Sequence, residues 1–205
     1  MLARAAAPGR LARFHFVNQA KPMGIAHAVA CARHLLEGEP FGLMFPDDLI
    51  LARTPCMQQL VEAYEACQGS VIAVQQVQKE EIPQYGIVDP AGDGNPMRLR
   101  GLVEKPTVSE APSSLGIVGR YVLSPTIFEH IDRIPRGKND ELQITDALAS
   151  QIAAGETVCA LQYEGQRFDT GRPLGLVVAT VAAALAREDM AGPLTEKLKV
   201  LLESE

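Results

Sequence analysis

Short apolar runs alternate along this chain with segments whose apolar residues recur at helical spacing. Phe41–Phe45 is apolar at every position, and Pro46-Asp47-Asp48 ends it. A strand with no polar positions is typical of a sheet that helices cover on both faces. A helical stripe precedes it over Ile25–Leu36, and Thr54-Pro55 begins another helix, since threonine caps and proline fits the first turn. The alternation predicts an α/β fold.

The later part of the chain adds further strands and a hairpin. Val71–Val77 and Leu115–Leu123 are predicted strands, as is Phe14–Asn18 near the start of the chain. Tyr85–Asp89 and Met97–Val103 are predicted to be extended on either side of a turn-rich linker, which is the pattern of a β-hairpin. We therefore expect a helix-covered sheet that carries a β-rich insertion.

Length and charge limit the classes of function. The 205 residues are 47% hydrophobic and 21% charged, which predicts one folded domain over residues 1–205, with residues 1–13 poorly ordered. The formal net charge is −6 and the chain has no tryptophan. Both properties argue against a nucleic-acid partner.

Neither a membrane nor an oxidising compartment is indicated. The longest apolar run, Leu174–Ala186, has 13 residues, whereas a bilayer-spanning helix needs about 20. The four cysteines are scattered, with no Cys-x-x-Cys pair. The spacing therefore predicts no cysteine metal site, and the free thiols suit a reducing cytoplasm.

Two aspartates follow predicted strands, where open α/β sheets bind ligands. Asp47 follows the run 41–45, and Asp169 follows Arg167-Phe168, with Gly171 two residues further on. Carboxylate oxygens at such a place suit Mg²⁺ with bound phosphates. The alternative at Asp47-Asp48 is a helix or turn cap, for which Asp48 is the candidate, and the alternative at Asp169 is a bare turn. The spacing alone leaves both interpretations open.

Two further groups of residues could contact a ligand. Gln19 follows the first predicted strand, and Gly24 precedes a helix whose N-terminus favours an anion. Glu104 and Lys105 end an apolar strand, where the carboxylate could accept sugar hydroxyl bonds and the ammonium could meet a phosphate. A turn glycine and a solvated strand end are the alternative interpretations.

Taken in order, these pieces resemble the bacterial UTP–glucose-1-phosphate uridylyltransferases (UDP-glucose pyrophosphorylases), within the sugar-phosphate nucleotidyltransferases. The resemblance covers about Phe16 to Gly175. The motifs are Gln-x4-Gly-x-x-His-Ala from Gln19, Pro46-Asp47, Tyr85–Asp89, Val103–Pro106, Ile117–Leu123, Asp140–Asp146 and Phe168–Gly171. The resemblance implies a Rossmann-like three-layer sandwich fold. It also implies an enzyme that transfers a uridylyl group from UTP to glucose 1-phosphate, giving UDP-glucose and pyrophosphate.

The resemblance also assigns nucleotide and metal residues. Gln19 and Gly24 match positions that contact the uracil base. Asp47 matches a ligand of Mg²⁺, the implied cofactor, and Asp169 matches the second acid on that metal. UTP is the implied nucleotide partner.

The remaining assigned residues belong to the second substrate, glucose 1-phosphate. Gly86, Glu104 and Lys105 match contacts to this sugar phosphate, with Lys105 near its phosphate. Lys105 and Asp47 are thus the implied catalytic residues. Family members are usually homo-oligomers, so the same assembly is expected of this protein.

Two features depart from the resembled pattern. Ser114 stands where the family commonly has an asparagine. The family's first strand and its Gly-x-Gly-Thr-Arg-x-Leu-Pro loop, which grip the triphosphate, have no counterpart, because no strand precedes Gly9-Arg10 and no Thr-Arg follows it. We therefore expect an N-terminally incomplete domain with an apolar sheet edge near Phe41–Phe45 and little or no activity alone.

Two alternative functions stay open at this point. One is a thymidylyltransferase that uses the same sugar phosphate. The other is a non-catalytic subunit that retains the sugar-phosphate pocket.

Overall fold

The computed structural model describes residues 9, 11–36, 38–137 and 140–203. These residues contain eight strands and six α-helices. The strands are β1 (Phe41–Met44), β2 (Asp48–Leu51), β3 (Ser70–Gln76), β4 (Gly86–Pro90), β5 (Met97–Glu104), β6 (Leu115–Leu123), β7 (Val158–Gln162) and β8 (Gln166–Asp169). The helices are α1 (Ile25–Cys31), α2 (Cys56–Cys67), α3 (Ile127–Ile131), α4 (Ile144–Ala153), α5 (Pro173–Leu185) and α6 (Glu188–Glu203).

Six strands form a mixed central sheet in the order β1-β6-β3-β7-β5-β4. Strand β3 is its buried centre, and successive β3 side chains enter opposite layers because side chains alternate along a strand. Val71 and Ala73 pack with α2 on one face. Ile72 and Val74 pack with α1, α3 and α4 on the other. The expected three-layer arrangement is therefore confirmed.

The predicted hairpin is present and extends the central sheet. Strands β4 and β5 pair antiparallel, with Gly86 opposite Glu104 at the open end of the hairpin. Strand β5 also pairs with β7, and Ile87 of β4 pairs with Gly116 of β6. The expected β-rich insertion is thus continuous with the main sheet. Gly86, where β4 begins, and Glu104, where β5 ends, lie side by side at the open end of the hairpin.

A separate two-stranded ribbon lies beside this sheet. Strands β2 and β8 pair antiparallel, with Asp48 opposite Asp169. Strand β8 corresponds to the predicted extended pair 167–168, whereas β2 was not predicted. Its sequence, Asp48–Leu51, has only four residues, too few for a reliable alternation pattern.

The prediction of a strand at Phe14–Asn18 is wrong. These residues have no regular structure, and the Phe16 side chain is 95% exposed. Alternating apolar residues form a strand only when a neighbouring strand accepts their backbone hydrogen bonds. Among the described residues, no strand pairs with this segment.

The apolar run at 41–45 does form a strand, but its burial differs from the prediction. Strand β1 ends the sheet, pairing with β6 alone among the described strands. Its side chains alternate between half-buried and exposed, and Met44 is 59% exposed. An apolar groove of about 630 Å³ opens between β1 and α1. The expected apolar edge is therefore present.

The expectations about domain number and the chain start stay predictions. Residues 1–8 and 10, which make up most of the segment expected to be poorly ordered, lie outside the described residues. Within the described part of the chain, no helix has the length and apolar character needed to cross a bilayer.

A buried polar cluster joins α3, α4 and the ends of β3 and β6. The Gln151 side chain is fully buried. Its Nε2 donates hydrogen bonds to Ser124 Oγ and to Glu156 Oε2, both at 2.9 Å. Its Oε1 accepts a hydrogen bond from Ser70 Oγ. His130 contacts the second carboxylate oxygen of Glu156 at 2.8 Å. Burial alone raises the pKa of Glu156, but the hydrogen bonds from His130, Thr126 and Gln151 outweigh it and lower the pKa.

We expect Gln151→Ala to reduce the free energy of unfolding by about 3 kcal/mol, because the change leaves buried partners without hydrogen bonds. A carboxylate whose folded pKa is lowered stabilises the protein above its unfolded pKa, and this stabilisation is lost as the pH falls through the folded pKa. The difference between variant and wild type should therefore be largest near neutral pH and shrink in acid. Urea denaturation at several pH values measures it.

Gln58→Ala is the matched control, since Gln58 is exposed and its side chain donates a hydrogen bond to neighbouring Glu62 on the surface of α2. It should cost less than about 0.5 kcal/mol. Equal losses for the two variants would contradict the account of the buried cluster.

Candidate active site

A polar cavity of about 330 Å³ lies between the β2–β8 ribbon and the open end of the β4–β5 hairpin. Five of the residues predicted from the sequence line this cavity. They are Asp47, Gly86, Glu104, Lys105 and Asp169. The fold thus brings together residues that lie far apart in the chain, which the sequence suggested only through the resemblance.

The two predicted metal acids face a common point. A Cβ atom built on Gly171 would lie 3.2 Å from Asp169 Oδ1 and 3.2 Å from Asp47 Oδ2. The backbone holds the two segments in register, because Thr170 N–H donates to the Asp47 carbonyl at 2.7 Å and the Thr170 hydroxyl donates to it at 2.9 Å. A side chain at 171 would press on both carboxylates, so the glycine keeps the space beside them open.

This donor set fits a magnesium ion. Mg²⁺ is usually held by one or two carboxylates together with water and substrate phosphates, whereas a closed metal site needs more protein ligands. Among the described residues, no group of three or more His, Cys, Asp or Glu side chains could hold a metal. Two aspartates beside an open cavity offer the oxygen donors that a hard divalent cation prefers.

The hairpin end forms a second side of the cavity. Glu104 Oε2 accepts a bond from the Thr145 hydroxyl at 3.0 Å, which fixes the carboxylate above Gly86. A Cβ on Gly86 would lie 3.1 Å from that same oxygen and 3.2 Å from Thr145 Cγ2. Gly86 thus keeps the floor of the cavity open beside an oriented carboxylate.

Lys105 adopts an unusual backbone conformation. Its φ is +47°, in the left-handed region that a side chain with a Cβ rarely occupies. Its N–H donates to the Tyr85 carbonyl at 3.1 Å, and its Nζ lies 3.6 Å from Glu104 Oε1. The Lys105 side chain is 60% exposed, so its ammonium is available to a ligand. The strained turn directs the chain out of β5 directly after the carboxylate.

Gln19 and Gly24 lie together, but they are absent from the lining of this cavity. Gln19 Nε2 donates to the Gly24 carbonyl at 3.0 Å and lies 2.8 Å from His27 Nδ1. Gly24 has φ +93°, and a Cβ there would collide with the Leu142 backbone. The glycine is thus required by close packing, while its predicted contact with a base stays a prediction.

Sequence reasoning missed several side chains that border the cavity. Asp48 was interpreted as a possible cap, yet it is buried and pairs with Arg167, whose Nη1 donates to the Tyr85 hydroxyl at 2.9 Å. Thr145 lines the cavity as well, and Asp146 follows it outside the lining; both lie in the quoted motif 140–146 but received no role of their own. Burial, and then the nearby Glu104 carboxylate, raise the pKa of Asp146. The adjacency of these residues arises only from the fold.

Comparison with known proteins shows the family and the fold. The sequence profile described as nucleotidyl transferase matches residues 4–184. The chain is 38% identical over 196 residues to the UTP–glucose-1-phosphate uridylyltransferase of Bacillus subtilis (strain 168), which covers 95% of this chain and 67% of that protein. The chain spans about two thirds of the length of the curated relatives it matches.

Solved structures are similar as well. A UDP-glucose pyrophosphorylase complexed with UDP-glucose matches with a TM-score of 0.83 at 32% identity, over 91% of this chain and 73% of that one. The UTP-bound UGPase from Acinetobacter baumannii gives 0.82 at 31% identity, over 100% and 72%. These matches confirm the expected Rossmann-like α/β fold.

The left-handed backbone at Lys105 predicts a difference between two variants that both remove the ammonium. Lys105→Gly should be more stable than Lys105→Ala by about 1 kcal/mol, because glycine occupies this region without strain. Urea denaturation of the two variants measures the difference. Equal stability, or a more stable alanine variant, would contradict the strained conformation.

Proposed function

This chain belongs to the nucleotidyl transferase family, and from that premise we propose that it serves the reaction of UTP with glucose 1-phosphate. The products are UDP-glucose and pyrophosphate. The observation that carries the proposal is the convergence of two aspartates, a glutamate and a lysine on one open cavity. Relatives named for this reaction support it.

The proposed reaction is an in-line substitution at phosphorus. A phosphate oxygen of glucose 1-phosphate attacks the α-phosphorus of UTP, and the bond from that phosphorus to the bridging oxygen of the leaving pyrophosphate breaks. No covalent bond to the protein is needed, so the protein contributes positioning and charge neutralisation. The groups available in the cavity are of the kind that these two tasks require.

We assign Asp47 and Asp169 to hold the cation, for which we propose Mg²⁺. Bound there, the ion would offset negative charge on the phosphate oxygens of the nucleotide. The protein's own contribution is to fix the two carboxylates on either side of Gly171. Arg172 Nε lies 3.6 Å from Asp169 Oδ2, an exposed pair that leaves the other Asp169 oxygen toward Gly171.

Gly86, Glu104 and Lys105 are assigned to glucose 1-phosphate. The Glu104 carboxylate, oriented by Thr145, can accept hydrogen bonds from two sugar hydroxyls. The exposed Lys105 ammonium can meet the phosphate that performs the attack, which makes Lys105 and Asp47 the proposed catalytic residues. Gly86 leaves room for the sugar ring against the sheet.

Gln19 and Gly24 are assigned to the uracil base of UTP. In the structure the Gln19 amide is bonded to the Gly24 carbonyl and to His27. Both bonds use the amide nitrogen Nε2, so recognition of the base is assigned to the Gln19 carbonyl oxygen, which can accept a hydrogen bond from a base N–H.

We further propose that the protein works as a homo-oligomer in the cytoplasm. Helix α5 carries exposed Leu174, Leu176 and Val177 side chains, which makes self-association favourable. The four cysteines are unpaired in the described part of the chain, which is compatible with a reducing compartment.

The proposal predicts that the protein binds glucose 1-phosphate in the presence of Mg²⁺. Lys105→Met should weaken binding by at least about tenfold, because a charge-assisted bond to the phosphate contributes about 1.5–3 kcal/mol. Titration calorimetry measures the affinity. Lys199→Met is the control, since Lys199 is an exposed lysine paired with Glu196 on α6, and it should leave binding unchanged.

Pyrophosphate release with UTP and with dTTP separates the candidate reactions. Faster turnover with UTP supports the uridylyl reaction, and faster turnover with dTTP supports a thymidylyltransferase. Binding of glucose 1-phosphate without any turnover would favour the non-catalytic subunit if turnover is still absent after the family's first strand and Gly-x-Gly-Thr-Arg-x-Leu-Pro loop are fused to the N-terminus. A folded protein that does not bind glucose 1-phosphate would contradict the proposal.

A further inference from the structure

Three polar side chains in the wall of the cavity form a chain of contacts. Arg167 Nε donates to Asp48 Oδ1, and Arg167 Nη1 donates to the Tyr85 hydroxyl at 2.9 Å. The Asp48 and Arg167 side chains are only 7% and 14% exposed. We call these three residues the Asp48–Arg167–Tyr85 link.

Each end of the link is adjacent to one half of the candidate active site. Asp48 follows Asp47 in the chain and lies opposite Asp169 in the β2–β8 pairing. Tyr85 directly precedes Gly86, and its carbonyl accepts the N–H of Lys105. The link therefore joins the aspartates assigned to the cation with the residues assigned to the sugar phosphate.

The aspartate end of the link is anchored to the central sheet. Gly119 N–H, in the middle of β6, donates to Asp48 Oδ2 at 2.6 Å. Arg120 donates to the carbonyl of Phe45 at 2.7 Å and also to the carbonyl of Asp48. These bonds fix the backbone on both sides of Asp47.

The ribbon needs such an anchor. Strands β2 and β8 have four residues each and form a sheet of their own beside the main one. An isolated pair of short strands is at best marginally stable in water. Side-chain bonds to β6 and Tyr85 therefore add to the packing of Ile50 and the burial of Phe168 in holding the ribbon beside the hairpin.

Stability alone does not explain a buried ion pair at this place. Removing two charges from water costs several kcal/mol per ion, and apolar side chains of similar volume often stabilise a fold equally well. A guanidinium that bonds two partners at once instead fixes their relative position, because its donors are rigid and planar. Its positive charge also lies among the carboxylates of the cavity.

We propose that the Asp48–Arg167–Tyr85 link positions the two halves of the site, so that binding of the cation strengthens binding of the sugar phosphate. Arg167 and Tyr85 are positioning residues in this scheme, acting through Asp48 and Asp47 on one side and through Gly86 and Lys105 on the other. The inference rests on the proposed function.

Tyr85→Phe is the most direct test. It removes the hydroxyl acceptor but keeps the aromatic ring, whose centre lies 5.5 Å from the Arg167 guanidinium carbon. The affinity for glucose 1-phosphate is measured by calorimetry with and without Mg²⁺. In the wild type we expect Mg²⁺ to tighten binding by about tenfold or more, and in Tyr85→Phe we expect most of this factor to be lost.

Two further variants make the test specific. Arg167→Lys keeps the positive charge but cannot bond Asp48 and Tyr85 with one rigid planar group, so it should also lose most of the Mg²⁺-dependent tightening of binding. The double variant Tyr85→Phe/Arg167→Lys should lose little more than either single variant. Tyr64→Phe is the matched control. Tyr64 is a half-buried tyrosine on α2 that packs with Leu60 and Val71 and is no part of the link, so the effect of Mg²⁺ should stay as in the wild type.

Denaturation curves show whether each variant is folded, and a purely structural role would weaken binding equally with and without Mg²⁺. An unchanged effect of Mg²⁺ in both Tyr85→Phe and Arg167→Lys would overturn the inference. So would a wild type whose sugar-phosphate affinity does not respond to Mg²⁺. A wild type that does not bind glucose 1-phosphate under either condition would instead overturn the proposed function on which the inference rests.

Discussion

The pairing of β2 with β8 is the contact on which the candidate active site depends. Two four-residue strands from distant parts of the chain place Asp48 opposite Asp169. The two bonds from Thr170 to the Asp47 carbonyl extend this register by one residue. Because the register is fixed, the carboxylates of Asp47 and Asp169 face the same point beside Gly171. A slip of one residue would turn alternate side chains to the opposite face and separate them.

The site also shows how local strain and buried charge are tolerated where geometry matters. Lys105 keeps a left-handed backbone, and Asp48 and Arg167 are buried as an ion pair. Neither arrangement is the most stable choice for its position. Both lie at the cavity. The turn at Lys105 follows the Glu104 carboxylate directly, and the buried Asp48 lies next to Asp47. The surrounding sheet supplies the stability that these positions do not.

The sequence predicted the elements whose patterns are local. Strand β3, the β4–β5 hairpin and helix α2 each carry a periodicity or turn signal within their own residues, and all three are present. The Phe14–Asn18 prediction failed because a strand also needs a partner, which its own sequence does not reveal. The apolar run at Phe41–Phe45 predicted a strand covered on both faces, whereas the strand lies at the edge of the sheet. The burial of a strand depends on which elements lie beside it. Composition along the run does not contain that information.

The candidate site was predictable to the extent that its residues lie in recognisable motifs. Asp47, Gly86, Glu104, Lys105 and Asp169 line one cavity as the resemblance implied. Gln19 and Gly24 are absent from that lining. The bonds from Arg167 to Asp48 and Tyr85 join residues 119 and 82 positions apart, a distance across which no sequence period extends. Such pairs become visible only when the fold is known.

The proposed function requires Asp47 and Asp169 to hold one divalent cation together. Electron paramagnetic resonance of Mn²⁺, which replaces Mg²⁺ at oxygen sites, counts bound ions directly and does not require turnover. We expect one strong site per chain in the wild type, greatly weakened in both Asp47→Asn and Asp169→Asn and unchanged in Asp93→Asn on the remote hairpin turn. Undiminished Mn²⁺ binding in either site variant would contradict this requirement.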